Sequence, residues 1–226
     1  MARSFQLVDY KVAETEFFLC RISECEFDFF AVQCYTNAFT YSARNITFAM
    51  QSVLSDVAEF KQWYQEVQNQ LKGNNLAKFF NEYRRVSTHI GEQLVGGGAS
   101  NITDSGDQVI VYFFHPNQDL QVVPSGDVLS LCTEYFIDLL KLVFDCYEQF
   151  KYVIDAKWNY TSENFKKLGK TIEDAEEELG FPRGWTDIGE PSMTKERWKA
   201  LRSRELGCEI NHIFDKYLGK TFLQPE

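Results

Sequence analysis

The stretch Asn75-Leu76-Ala77-Lys78-Phe79-Phe80-Asn81-Glu82-Tyr83-Arg84-Arg85-Val86-Ser87-Thr88-His89-Ile90 decides how the rest of the chain is read. Leu76, Phe79, Phe80, Tyr83, Ile90 and Leu94 recur at helical spacing, which predicts an amphipathic helix over 75–95. The run Gly96-Gly97-Gly98 predicts its end. At about 100° per residue, Leu76, Phe80, Tyr83, Ile90 and Leu94 fall on one side. Arg85, His89 and Glu92 fall on the opposite side, and Arg84 lies on the flank.

Upstream, residues 4–23 predict a first helix. The mostly apolar stretch 27–55 predicts a long helix in the middle of a bundle. Ser55-Asp56 offers an N-cap for a third helix over 57–72, which ends at Gly73. Downstream, the Gly, Ser, Asn and Asp residues of 96–107 predict a surface loop. Residues 109–114 and 120–123 flank His115-Pro116-Asn117-Gln118-Asp119 and predict a β-hairpin. Helices are expected over 127–155, 161–180 and 194–217, with Pro182, Gly184 and Pro191 marking a linker. The expected fold is all-α: a bundle of about six or seven helices with one inserted hairpin. The expected organisation is a helical core over 1–95, a loop and hairpin insertion over 96–126, and a helical continuation of the same domain over 127–226.

The composition supports a large core. Hydrophobic residues make up 44% of 226 residues, and Phe alone numbers 20. The five prolines, at 116, 124, 182, 191 and 225, leave the first 115 residues without a helix breaker of that kind. A formal net charge of −10 argues against broad, non-specific nucleic-acid binding, though not against a local basic site. Residues 57–95 are locally near neutral: Lys61, Lys72, Lys78, Arg84 and Arg85 stand against Glu59, Glu66, Glu82 and Glu92. Met1-Ala2-Arg3-Ser4-Phe5 runs straight into mixed polar sequence, so no secretory leader and no membrane contact are expected. The six cysteines show no Cys-x-x-Cys pairing. A cytoplasmic setting follows as an expectation, and it makes the Asn-x-Thr triplets at Asn45, Asn101 and Asn159 chance matches.

His89 is the histidine with two arginines closest to it. Imidazole titrates near neutral pH and moves protons. A guanidinium stays charged and grips phosphate oxygens in a fork. Together they suffice for metal-free chemistry on a phosphodiester. Arg85 and His89 lie one turn apart. Arg84 and His89 are five apart, roughly 140° around the helix, and cannot easily meet a single phosphate from one straight helix. Two copies meeting across a two-fold axis, a homodimer in which each contributes to a shared cleft, could solve this.

The Arg-x4-His motif late in a helix resembles the HEPN superfamily. Phe39-x-x-Ser42-Ala43-Arg44, Phe60-Lys61-x-Trp63-Tyr64 and Phe79-Phe80-Asn81-Glu82-Tyr83-Arg84 add to the likeness, which covers residues 5–95. The resemblance implies a metal-independent endoribonuclease of toxin or defence type, with RNA as substrate and an antitoxin or other protein as partner. It implies catalytic roles for Arg84 and His89, RNA binding by Arg85, Ser87 and Thr88, and neither cofactor nor metal. The family carries Asn, Asp or His directly after the arginine. Arg85 in that place implies either an added RNA-holding cation or a catalytically inactive module that dimerises or binds a partner. The blandest reading makes Arg84, Arg85 and His89 a solvated helix face.

Other signals are weaker. Gly169-Lys170-Thr171 and Gly219-Lys220-Thr221 lack the first glycine of a phosphate-binding loop, since Asn164 and Phe214 stand there. Glu205, Cys208 and His212 share a helix face without a fourth zinc ligand. His115 reads as a turn residue. Lys195, Arg197, Lys199, Arg202 and Arg204 on the last helix, and the acidic run Glu173–Glu178, read first as solvated faces.

Overall fold

A computed structural model describes residues 4–102, 106, 108–120 and 122–225. The chain divides into two compact units, Tyr10–Leu142 and Met1–Asp9 with Val143–Glu226. The division falls within α1 (Gln6–Glu24) and within α5 (Val128–Ile154). Among the described residues there are ten α-helices and one antiparallel pair of strands, so the structure is mostly helical with an inserted hairpin, as expected.

In the unit Tyr10–Leu142, α2 (Phe29–Leu54) starts where the Asp28 carboxylate accepts the Ala31 N–H at 2.9 Å. Its face from Val32 through Phe39, Ala43, Ile46 and Met50 is buried. It is not buried all round, because Phe29, Phe30 and Phe48 are exposed. α3 (Ala58–Gly73) leads into α4 (Asn75–His89), which the Asn74 side chain caps through the Ala77 N–H. The core here is aromatic. Phe80 stacks on Tyr135 at 4.6 Å, and Phe79 meets Phe114 edge-on at 4.9 Å.

α4 stops at His89, six residues short of the expected end. Gly91 adopts φ 78°, and its N–H returns to the Val86 carbonyl together with that of Ile90. Ile90 is exposed. Leu94 is fully buried, but from extended chain, so its match to the helical period was a coincidence of phase.

The hairpin also differs from expectation. β1 (Val95–Ile102) pairs with β2 (Gln108–Phe114), so the glycine run is a strand and not a loop. A Cβ at Gly98 would stand 2.6 Å from Ile110 and 3.1 Å from Tyr112. The missing side chain lets the partner strand's side chains lie across β1, a use of glycine that composition conceals.

In the other unit, Asp155, Thr161 and Thr171 cap three short helices in turn: α6 (Ala156–Asn159), α7 (Ser162–Lys167) and α8 (Ile172–Glu178). The single helix expected over 161–180 is therefore two, divided at Gly169 with φ 68°. The helix expected over 194–217 is likewise two, α9 (Thr194–Ser203) and α10 (Asn211–Leu218), preceded by a 3-10 turn at Pro191–Met193. These breaks raise the helix number above the six or seven expected. Ala156, Tyr160, Phe165, Ile172, Ala175, Trp198 and Leu201 form the core of this region. Glu176 is fully buried and not solvated. It accepts the N–H groups of Gly184 and Thr186 at 2.5 and 2.7 Å and the Arg197 guanidinium at 3.3 Å, so it anchors the proline-marked segment. No helix among the described residues is long and apolar enough to cross a membrane.

Candidate functional site

The second half of α4 carries the Arg84-Arg85-x-x-x-His89 run, and α2 holds it by hydrogen bonds. The Asn37 carbonyl oxygen accepts from the buried Tyr83 hydroxyl at 2.7 Å and from Ser87 Oγ at 3.3 Å. Its amide donates to the Gln93 side chain at 3.0 Å. One turn along α2, Tyr41 Oη lies 2.6 Å from Thr88 Oγ1. Thr88 spends its single proton on the Arg84 carbonyl at 2.6 Å, so Tyr41 is the donor between the two hydroxyls. Burial pushes the Tyr83 hydroxyl well above its ordinary pKa, which keeps it a donor.

Ser87 and Thr88 face α2 and bond within the chain. Arg85 is exposed, and its guanidinium donates to the Asp119 carbonyl at 3.0 Å. Arg84 is half-buried, with an Nε that has no hydrogen-bond partner among the described residues. His89 is exposed at the last residue of α4. Arg84 and His89 thus ride one rigid helix and diverge around it, with no bond between them among the described residues. The arrangement presents a guanidinium on one flank and an imidazole on another.

His115 does more than turn the chain. Its Nε2 sits 2.8 Å from the Gln93 carbonyl and its Nδ1 2.9 Å from the Pro116 carbonyl. These two acceptors, Pro116 first, raise its pKa, because both favour the doubly protonated ring. Asn117 donates to Glu92, so the segment after β2 is tied to the chain that leaves α4.

Two constellations escaped the sequence reading. One is a cleft bordered by Arg44, Lys72 and Lys78 in the unit Tyr10–Leu142. The other lies in the second unit, where Asp9 is 4% exposed and borders a cavity of about 350 Å³ with Tyr147 and Arg204. Tyr147 Oη donates to the Asp9 carboxylate at 2.7 and 2.8 Å, and the Glu209 N–H adds a bond at 3.0 Å. Burial outweighs these donors and pushes the Asp9 carboxyl up to about 6. Neither set is contiguous in sequence, so no spacing rule points to it. The Glu205, Cys208 and His212 set does not stand out as a metal centre. No cluster of His, Cys, Asp and Glu able to hold a metal occurs among the described residues. The Cys208 thiol is pushed up to about 12, first by burial.

A family model described as "Bacteriophage lambda protein ea47" matches residues 6–92, less than half of the chain. No curated protein and no solved structure matches. The matched segment coincides with the stretch on which the HEPN resemblance rested, and the matching family is a different one. The HEPN resemblance is therefore corrected, and the toxin, defence and antitoxin associations drawn from it lose their basis. The reason is physical: an arginine and a histidine five apart on a helix's polar face form a short pattern that many amphipathic helices can carry.

Proposed function

We propose that the protein is a metal-independent endoribonuclease whose site is completed by two copies of α4, one supplying Arg84 and the other His89. The reading is supported by the chemistry of the pair. Among the described residues, exposed His89 is unpartnered and the Nε of half-buried Arg84 has no hydrogen-bond partner. The reaction is attack of an RNA 2′-hydroxyl on the adjacent phosphorus. His89 takes the 2′ proton, the P–O5′ bond breaks, and the leaving 5′ oxygen takes a proton from water. Arg84 offsets the charge that grows on the phosphoryl oxygens. One observation favours a second reading, a partner-binding module without turnover. The Ser87 and Thr88 hydroxyls are already committed within the chain and have no proton to offer a substrate.

The test is cleavage of single-stranded RNA by the purified chain in excess chelator. The expected products end in a 2′,3′-cyclic phosphate, and a 2′-deoxy substitution at the cut site blocks the reaction. Absence of cleavage on a broad RNA panel favours the binding module. Cleavage lost with chelator and restored by magnesium overturns the mechanism.

A further inference from the structure

Four helices of the unit Tyr10–Leu142 line a cleft of about 290 Å³. α2 supplies Arg44, α3 supplies Tyr64 and Lys72, α4 supplies Lys78 and Asn81, and α5 supplies Tyr135. Three lining residues are cationic, none is acidic, and the whole chain carries a net charge of −10. Among the described residues no carboxylate pairs with Arg44, Lys72 or Lys78. The nearby Asp138 is engaged elsewhere, by Asn74 at 2.9 Å and Lys141 at 3.0 Å.

Arg44 is the centre of this arrangement. Its Nη1 donates to Thr47 Oγ1 at 3.1 Å, and its guanidinium lies 4.4 Å from the centre of the Phe48 ring. Its Nε is buried and has no hydrogen-bond partner among the described residues. A partly buried cation with one neutral acceptor and no counter-charge is costly unless something else neutralises it.

We propose that this cleft binds a phosphate group, either as inorganic phosphate or on a mononucleotide-sized ligand. Three converging cations match a dianion better than a single carboxylate. Burial pushes the Tyr135 hydroxyl up to about 12, so it stays protonated at neutral pH and is the hydroxyl donor offered to a phosphate oxygen, since the Tyr64 hydroxyl is already bonded to Thr47. The volume lies at the small end of ligand pockets, about 300–1,000 Å³. The net acidic chain opposes broad, non-specific contact with a polyanion and leaves room for a local phosphate contact.

The test is titration calorimetry on the full chain with uridine 5′-monophosphate, inorganic phosphate and uridine. At least one phosphate-bearing probe is expected to bind, and uridine is not. Binding of both assigns the cleft to phosphate as a group; binding of one alone names its source. Lys72→Gln with Lys78→Gln, both on exposed positions, should weaken binding by about tenfold per lost charge-assisted contact while leaving the melting temperature unchanged. Arg44→Met should abolish binding. The inference is overturned if neither phosphate probe binds at millimolar concentration, if uridine binds as well as its monophosphate, or if the double lysine variant binds like the parent.

Discussion

Tyr41 on α2 donates to Thr88 on α4 across 2.6 Å, and the same threonine passes its own proton to the Arg84 carbonyl. The relay pins the last turn of α4 to the long helix. Tyr41→Phe and Thr88→Val should each destabilise the protein by about 0.5–1 kcal/mol, the scale of one partly exposed hydrogen bond. In a double-mutant cycle the pair should couple, because either change removes the same bond. Chemical denaturation of the four proteins measures this, and additive losses would deny the bond.

Asn37 should matter more than either. Its carbonyl is the acceptor for Tyr83, whose side chain is fully buried. Asn37→Ala leaves a buried hydroxyl unsatisfied and should cost about 1–3 kcal/mol. Tyr83→Phe in the Asn37→Ala background removes the orphaned donor and should recover part of that loss. Urea midpoints of the single and double variants decide it.

The sequence revealed what period and capping encode. α1, α2, α3 and α5 lie close to their expected spans, because long apolar stripes act locally, although α3 starts after Val57 with no side-chain cap and not at Ser55-Asp56. It concealed what depends on partners distant in sequence. Gly98 reads as a loop residue until Ile110 and Tyr112 are seen lying over it. Glu176 reads as a solvated acid until Gly184, Thr186 and Arg197 are seen around it. At the candidate site, the helical wheel separated Arg85 and His89 from the core face, but it could not show that Ser87 and Thr88 bond to α2 or Arg85 to Asp119.

The β1 glycines should separate by position. A side chain at Gly98 meets Ile110 within 2.6 Å, whereas nothing lies within 4 Å of a Cβ at Gly97. Gly98→Val should cost about 1–3 kcal/mol through overpacking, and Gly97→Ala should be close to neutral. Melting temperatures of the two variants test the assignment of this stretch to a strand.

Asp9 should make stability fall as pH rises through mildly acid values. Its carboxyl titrates near 3.8 when unfolded and near 6 in the fold, so the fold favours the protonated form. That stabilising contribution is complete below about 3.8 and is lost as pH rises through about 6. Asp174, held down to about 2 by the Thr171 N–H and Arg183, acts oppositely and at lower pH. Asp9→Asn should therefore flatten the pH dependence between 4 and 6 and leave the more acidic limb unchanged. Urea midpoints across this range, for parent and variant, give the comparison; parallel profiles would place the Asp9 titration elsewhere.

The two-copy site makes a demand that a single-chain site does not. Arg84→Ala and His89→Ala should each lower RNA cleavage by about 100-fold or more, since each removes a group acting in the transition state. Arg85→Ala should leave turnover within a few-fold, because its guanidinium is occupied by the Asp119 carbonyl, and should weaken RNA binding. His89 is exposed, so its loss should move stability by no more than about 0.5 kcal/mol. Mixing the inactive Arg84→Ala and His89→Ala proteins then separates the geometries. Half the dimers are mixed at random exchange, and in each of them one of the two clefts pairs an intact Arg84 with an intact His89 from the other copy. Activity should return to about a quarter of the parent level. If both residues act within one chain, no mixed dimer holds an intact site and the mixture stays as inactive as its components.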